Sequence, residues 1–376
     1  MKKIYLSPPS LGKSENRYIK DAIQSNWIAP VGPFIDKFEN RLKQYTGVEH
    51  ALCVNSGTSA IHLALKVLGV KRGDIVLCQN FTFIGSVSPV KFCDAEPIFI
   101  GSEESTWNIS PEILRDTIKK FLKKGKKPKA IIIVHLYGMP AKVSELKSIS
   151  REFNIPIIED AAEALGSTYM KKKCGSLFDI GILSFNGNKI ITTSGGGAIL
   201  SNKKKYIDKA KYLANQAKDN LYHYQHREIG YNYRISNLLS ALGVGQLESI
   251  NKKVKKRRNN FLLYKELLSS FDNFIFPMES INQNKNISFS NRWLSTLIIN
   301  KKYSVKNLTS FMQKKNIEVR PLWKPMNIQP IFSDIKYYGD NVEHNLYKKG
   351  ICLPSGNNLT RKDQEKVIYH LLKYLS

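Results

Sequence analysis

The 376-residue sequence has no apolar run approaching the ~18 residues that a membrane-crossing helix needs. Its opening, MKKIYLSPPS, carries two lysines but lacks an apolar stretch of about 7–15 residues behind them. No secretory leader and no membrane span are therefore expected, and a cytoplasmic protein is. Cysteine is scarce: Cys53, Cys78, Cys93, Cys174 and Cys352 stand alone, without a C-x-x-C pair. An odd count with no framework argues against a disulfide scaffold or a zinc site and for reduced thiols, so no metal is expected. Acidic residues are few, 31 against 58 lysines and arginines, which leaves a formal net charge of +27. Such an excess raises the question of a polyanionic partner. It is spread from Lys2 to Lys373 and is mostly lysine, a point charge poorly suited to reading bases. The densest run, Lys252 to Arg258, reads as part of a long surface helix. No nucleic-acid partner is expected.

Apolar residues make up 42% and charged residues 24%, an ordinary globular balance with length for two or three domains. Apolar strand-length runs alternate with amphipathic stretches up to about residue 250. ALCVN, DIVLCQ, KAIIIVHL, IPIIED, DIGILSF and GAILS read as strands, and FIDKFENRLKQY, SAIHLALKVLGV, PEILRDTIKKFL and SELKSISREF as helices. This rhythm predicts a mostly parallel sheet covered on both faces. Residues 1–32 form a Pro- and Gly-punctuated arm with one helical stretch. Residues 1–250 thus form the arm and a large α/β domain. Residues 251–376 form a smaller α+β domain, with a strand at RWLSTLII and helices at VKNLTSFMQKK and KDQEKVIYHLLKYL.

Ligands of open α/β sheets bind beyond the carboxyl ends of the strands, and four segments put polar groups there. Asn55-Ser56-Gly57-Thr58-Ser59 is a small turn opening a helix, whose free N–H groups suit a compact phosphate. It has neither the Gly-Lys of a P-loop nor a G-x-G-x-x-G fingerprint, although a plain capped helix would look the same. In Ile157-Ile158-Glu159-Asp160-Ala161-Ala162-Glu163 an acid follows a buried strand, which is costly without a partner. A protonated pyridine nitrogen is one such partner; a helix N-cap is another. Ser184-Phe185-Asn186-Gly187-Asn188-Lys189, followed by Thr192-Thr193-Ser194-Gly195-Gly196-Gly197, sets one lysine between two apolar strands. Desolvation there would favour the neutral amine that a Schiff base requires, though an exposed loop lysine is equally compatible. Gly230-Tyr231-Asn232-Tyr233-Arg234 says little alone. His223 and His226, three apart, lack an acidic or cysteine companion. Gly243-Val244-Gly245 is better explained by close helix packing than by a dinucleotide site.

Taken together and in this order, the segments are specific. From Ile4 to the C-terminus, through SNWIAPVGPFIDKFE, NSGTSA, FTFIGS, IIEDAAEALGS, SFNGNK with TTSGGG, GYNYRISNLLSALGVGQLE and RPLWKPM, the chain resembles the DegT/DnrJ/EryC1/StrS sugar aminotransferases. The resemblance implies the fold type I architecture of pyridoxal 5'-phosphate (PLP) enzymes, with pyridoxamine phosphate as the intermediate cofactor form. It implies that Lys189 holds the cofactor and shuttles protons, that Asp160 pairs with the ring nitrogen and that Phe83 stacks on the ring. Glu163 would lie near the phenolic oxygen. Gly57, Thr58, Ser59 and Ser184 would bind the phosphate, and Asn232 would reach it from the neighbouring subunit of an obligatory homodimer. Substrate contacts are expected from Trp27, Ile28, Asn186, His226, Lys324 and Asn327.

Ser194-Gly195-Gly196-Gly197, with N-W-I-A-P and W-K-P-M, resembles the branch acting on UDP-linked 2-acetamido-4-keto-6-deoxyhexoses, of the bacillosamine or legionaminic acid type. The expected reaction is amination at C4 with glutamate as donor. Asn327 stands where that branch commonly has His, which keeps GDP- and dTDP-linked sugars, and C3 amination, in play. Two other readings are a sugar dehydratase, which would replace Lys189 by His, and a non-catalytic regulator or polyanion binder. An intact set of Lys189, Asp160 and Asn232 argues against the last.

Overall fold

The computed structural model describes residues 3–282 and 285–376. Seven strands of the first 201 residues build the main sheet: β1 (His50–Val54), β2 (Ile75–Gln79), β3 (Glu96–Ile100), β4 (Ala130–Val134), β5 (Ile157–Asp160), β6 (Ile180–Ser184) and β7 (Gly197–Ser201). Their order across the sheet is β1-β7-β6-β5-β4-β2-β3. Neighbours from β6 to β3 pair in parallel, whereas β7 runs antiparallel to both β6 and β1. β1 therefore points the same way as β2–β6. The expected mostly parallel sheet is present, and GAILS (β7) is its one reversed member among these seven.

Continuous apolar composition follows from burial on both faces. On one face Val76, Ile132, Ile158 and Ile182 pack against α3 (Gly57–Val67). On the other, Leu77, Ile131, Ile133 and Ile157 meet Leu114 and Ile118 of a helix over Pro111–Lys123, and Leu146 and Ile149 of one over Val143–Phe153. Ser56 caps α3, its Oγ accepting the Ser59 N–H at 3.0 Å.

Beyond residue 201, a helix over Asn237–Glu248 is buried around much of its circumference. A Cβ on Gly243 would stand 2.6 Å from the Phe38 ring, and one on Gly245 2.8 Å from the Glu15 backbone. These two glycines let neighbouring helices approach closely, as expected. The following helix, Ile250–Leu267, carries the basic run that reads as solvated, but Lys253 and Arg257 are 6% and 1% exposed. Both turn inward on a helix whose other lysines face water.

A second, four-stranded sheet comprises β8 (Phe274–Ile275), β9 (Ser295–Ile299), β10 (Arg320–Pro321) and β12 (Gly350–Leu353), in the order β8-β9-β12-β10. Helices over Val305–Lys314 and Arg361–Leu375 cover it through Leu308, Met312, Val367 and Leu371. The N-terminal segment joins this unit, with Ile4 bridging Ile317. In the other direction, β11 (Tyr337–Tyr338) leaves it and pairs in parallel with β3 at the edge of the main sheet. Among the described residues no helix is long and apolar enough to cross a membrane.

Candidate functional site

Because β1, β5 and β6 point the same way, their carboxyl ends bring Gly57, Asp160 and Ser184 to one edge of the sheet. β7 starts at that same edge. A cavity of about 800 Å³ opens there, lined also by Thr58, Phe83, Glu163, Asn186, Lys189 and Lys324. Nine sequence-predicted residues thus share one wall system.

The phosphate-sized end is a close-packed turn. A Cβ on Gly57 would sit 3.0 Å from the Ser184 Cβ, and one on Gly197 would sit 2.5 Å from the Gly57 nitrogen. The first turn of α3 leaves the N–H groups of Gly57 and Thr58 without intrahelical partners, beside the Ser184 hydroxyl. Ser59 does not line the cavity. Its hydroxyl donates to Asn55 Oδ1 at 2.7 Å, so it braces the turn from behind.

At the floor, Asp160 is 4% exposed, with each carboxylate oxygen held: the Ala162 N–H donates to Oδ1 at 3.0 Å and the Ser86 hydroxyl to Oδ2 at 2.7 Å. Ser86 is in turn 2.8 Å from the Thr82 hydroxyl. Two neutral donors fix the carboxylate without neutralising it. It keeps its capacity to stabilise a cationic ring N–H.

Opposite, Lys189 Nζ lies 3.2 Å from Glu163 Oε1 and 4.3 Å from the centre of the Trp293 ring. Glu163 Oε2 accepts the Tyr137 N–H at 2.6 Å. Burial pushes the Glu163 carboxyl up to about 7, against the pull of the Lys189 ammonium. Tyr137 adopts a left-handed conformation (φ 53°), an uncommon state for a residue with a side chain. Its hydroxyl accepts the Trp323 N–H at 2.9 Å. Trp323 packs 5.4 Å from Phe83 at the mouth, where Phe83 is 57% exposed.

The donor set fits PLP. An N–H-rich turn takes a phosphate, a buried carboxylate takes a pyridinium nitrogen, a lysine amine meets the aldehyde, and an aromatic face is free to cover a ring. Five further sequence-predicted residues lie elsewhere, namely Trp27, Ile28, Asn232, His226 and Asn327. Trp27 and Ile28 are 46% and 52% exposed on the arm. Asn232 is exposed, its carbonyl accepting from Asn55 Nδ2 at 3.3 Å. His226 lies by a separate surface depression with Tyr224 and Gly230, its Nδ1 2.8 Å from the Gln216 carbonyl. His223 is 3.4 Å from Gln225 Oε1. Asn327 is tied to Asn80, its side-chain oxygen accepting at 2.8 Å and its N–H donating at 2.9 Å.

Sequence reasoning missed Ser86, Tyr137, Trp293, Trp323 and Arg320, which line or support the cavity. Tyr137 was findable, because it follows the buried run of β4 at the edge where ligands bind. Trp293 enters from a distant segment with no local signal.

Residues 9–372 match the DegT/DnrJ/EryC1/StrS aminotransferase family. EpsN of Bacillus subtilis (strain 168), named as a pyridoxal phosphate-dependent aminotransferase, is 47% identical over 375 residues, covering 99% of this chain and 95% of that protein. GDP-perosamine synthase of Escherichia coli O157:H7 is 34% identical over 369 residues, covering 98% and 97%. The crystal structure of a DegT DnrJ EryC1 StrS aminotransferase from Brucella abortus superposes with a TM-score of 0.88 at 25% identity, covering 96% and 95%. With cavity, lysine and carboxylate arranged as described, the chain belongs to the DegT/DnrJ/EryC1/StrS family and is a PLP-dependent sugar aminotransferase of fold type I.

Proposed function

We propose that the protein transfers an amino group from glutamate to C4 of a UDP-linked 2-acetamido-2,6-dideoxy-4-ketohexose, working as a homodimer. The carrying observation is that the Lys189 amine, the Asp160 carboxylate and the N-terminus of α3 face one cavity. PLP, when bound, supplies an electron sink for negative charge on the carbon bearing the amine. Gly57, Thr58 and Ser184 hold its phosphate, and Ser59 braces their turn. Asp160 keeps the ring nitrogen protonated, with Ser86 keeping Asp160 in place. Phe83 covers one ring face and Glu163 holds the phenolic oxygen. Lys189 would hold the cofactor's aldehyde end and would move a proton between the cofactor carbon and the substrate carbon.

The substrate enters past Asn186, Trp323 and Lys324. Its diphosphate and the donor's carboxylates meet Lys324 and Arg320, the cationic groups lining the cavity besides Lys189. Trp27 and Ile28, exposed on the arm outside this cavity, are assigned to the sugar pocket of the neighbouring subunit, whereas Asn327, tied to Asn80 and outside the lining, is given no substrate contact. Asn232 and His226, exposed away from their own cavity, serve the neighbouring subunit's site.

The likeness to a GDP-perosamine synthase favours a GDP-linked sugar as the second reading. The test is a panel of UDP-, GDP- and dTDP-linked 4-keto-6-deoxy sugars with glutamate, the products being read by mass spectrometry. The expected result is a mass and fragmentation pattern of a 4-amino sugar with the UDP substrate alone. Selective turnover of the GDP sugar would move the assignment to the second reading. Lys189→Ala abolishes turnover and the yellow absorbance; retention of both refutes the lysine's role.

A further inference from the structure

Behind the lysine lies a buried cation that pairs with no carboxylate among the described residues. Arg257 is 1% exposed, and its Nε has no hydrogen-bond partner among the described residues. Burial lowers its pKa to about 9, which leaves it charged at neutral pH. Placing an unpaired guanidinium in a protein interior is costly, so the groups it does bind are informative.

Those groups converge on one carbonyl. Arg257 Nη1 donates to the Trp293 carbonyl at 2.5 Å, and Nη2 donates to the Ser7 hydroxyl at 3.0 Å. Ser7 Oγ donates to the Asn188 carbonyl at 2.7 Å, and the Trp293 indole Nε1 donates to that same carbonyl at 2.7 Å. Asn188 itself is exposed, in a turn closed by the Lys189 N–H on the Asn186 carbonyl at 3.0 Å. The Asn188–Lys189 peptide sets the direction in which the Lys189 side chain leaves the backbone. Trp293 then presents its ring to the lysine Nζ.

We propose that Arg257, Ser7 and Trp293 form a clamp on the Asn188 carbonyl that aims Lys189 into the cavity. Its three members come from the N-terminal arm, the helix Ile250–Leu267 and the segment before β9. All three are positioning residues, and Arg257 acts only through the other two. The proposal deepens the reading of Lys189 as the residue that holds the cofactor, and it rests on that reading.

The test uses Ser7→Ala, which removes the hydroxyl donor to the Asn188 carbonyl together with the acceptor of Arg257 Nη2, and Trp293→Phe, which removes the indole donor while keeping an aromatic ring, with Ser7→Thr as the rescue. In cofactor-free protein, the rate of reductive methylation of Lys189 is followed by peptide mass spectrometry. Each deletion is expected to change that rate by at least about threefold, on the scale of one hydrogen bond, and Ser7→Thr to restore it. The double variant should show less than the product of the single effects, because both donors serve one carbonyl. In the loaded enzyme kcat should fall about fivefold to tenfold with KM for the nucleotide sugar unchanged. Unaltered Lys189 methylation in both deletions, or a change accounted for by lost folded protein in a melting curve, overturns the clamp. Should wild-type protein give no borohydride-trapped cofactor at Lys189, the reading of the lysine fails, while the methylation rates still decide the clamp.

Discussion

Replacing Glu163 by Gln removes a carboxyl that burial holds at about 7, up from its ordinary 4.5. Between those two pH values the folded protein keeps a proton that the unfolded chain has released. Folding takes up a proton there, so stability falls as pH rises through this window. At about 1.4 kcal/mol per pH unit the loss attributable to Glu163 is about 3 kcal/mol. Glu163 is 4% exposed, so solvent screening takes little from that figure. Gln keeps an oxygen to accept the Tyr137 N–H and cannot ionise. The assay is urea unfolding of cofactor-free wild type and Glu163→Gln at several pH values from 4.5 to 8, at fixed protein concentration. Wild type should lose about 3 kcal/mol relative to the variant across that range, with most of the change below pH 7. A difference that stays constant with pH would show that the carboxyl titrates normally, and that the Lys189 ammonium outweighs burial.

Other substitutions probe the remaining walls. Asp160→Asn should lower kcat a hundredfold or more while the protein still binds cofactor, measured by turnover and absorbance together. Gly57→Ala places a methyl 3.0 Å from the Ser184 Cβ, and should weaken PLP retention at least about tenfold in equilibrium dialysis while melting of the cofactor-free protein stays nearly unchanged. Arg320→Ala with Lys324→Ala should raise KM for the nucleotide sugar about tenfold and flatten its dependence on ionic strength, measured by initial rates in 0.05–0.5 M salt.

The chemistry-bearing turns were legible because each sits where a short apolar run stops. NSGTSA, the acid after IPIIED and the lysine between DIGILSF and GAILS all fall at strand ends, and parallel strands gather such ends on one side. The reversal of β7 was not legible, since an apolar run reads the same in either direction. Trp293 escaped because it reaches the cavity through tertiary packing from a segment that carries no turn chemistry, and Arg320 because RPLWKPM does not mark which of its side chains besides Lys324 face the cavity. Arg257 was hidden differently. In a run of lysines, composition predicts water on every side, and only the packing of Ile250–Leu267 against the arm and Trp293 singles out Lys253 and Arg257 for burial. Asn232 and His226 mark a further boundary. Both residues are exposed in the isolated subunit, away from the cavity that holds Lys189.

Both margins of the main sheet are already spoken for. On one side β11 lies along β3, and on the other the Cys53 N–H is taken by Glu39 Oε1 at 2.8 Å while Val54 bridges Arg234. These contacts oppose the extension of one sheet into the next at the carboxyl ends of β3 and β1, where an open edge would otherwise template a stray strand. A copy docking on side chains and loops would depend on the sequence of those surfaces, whereas a shared ladder would need only the main-chain groups that almost every residue carries.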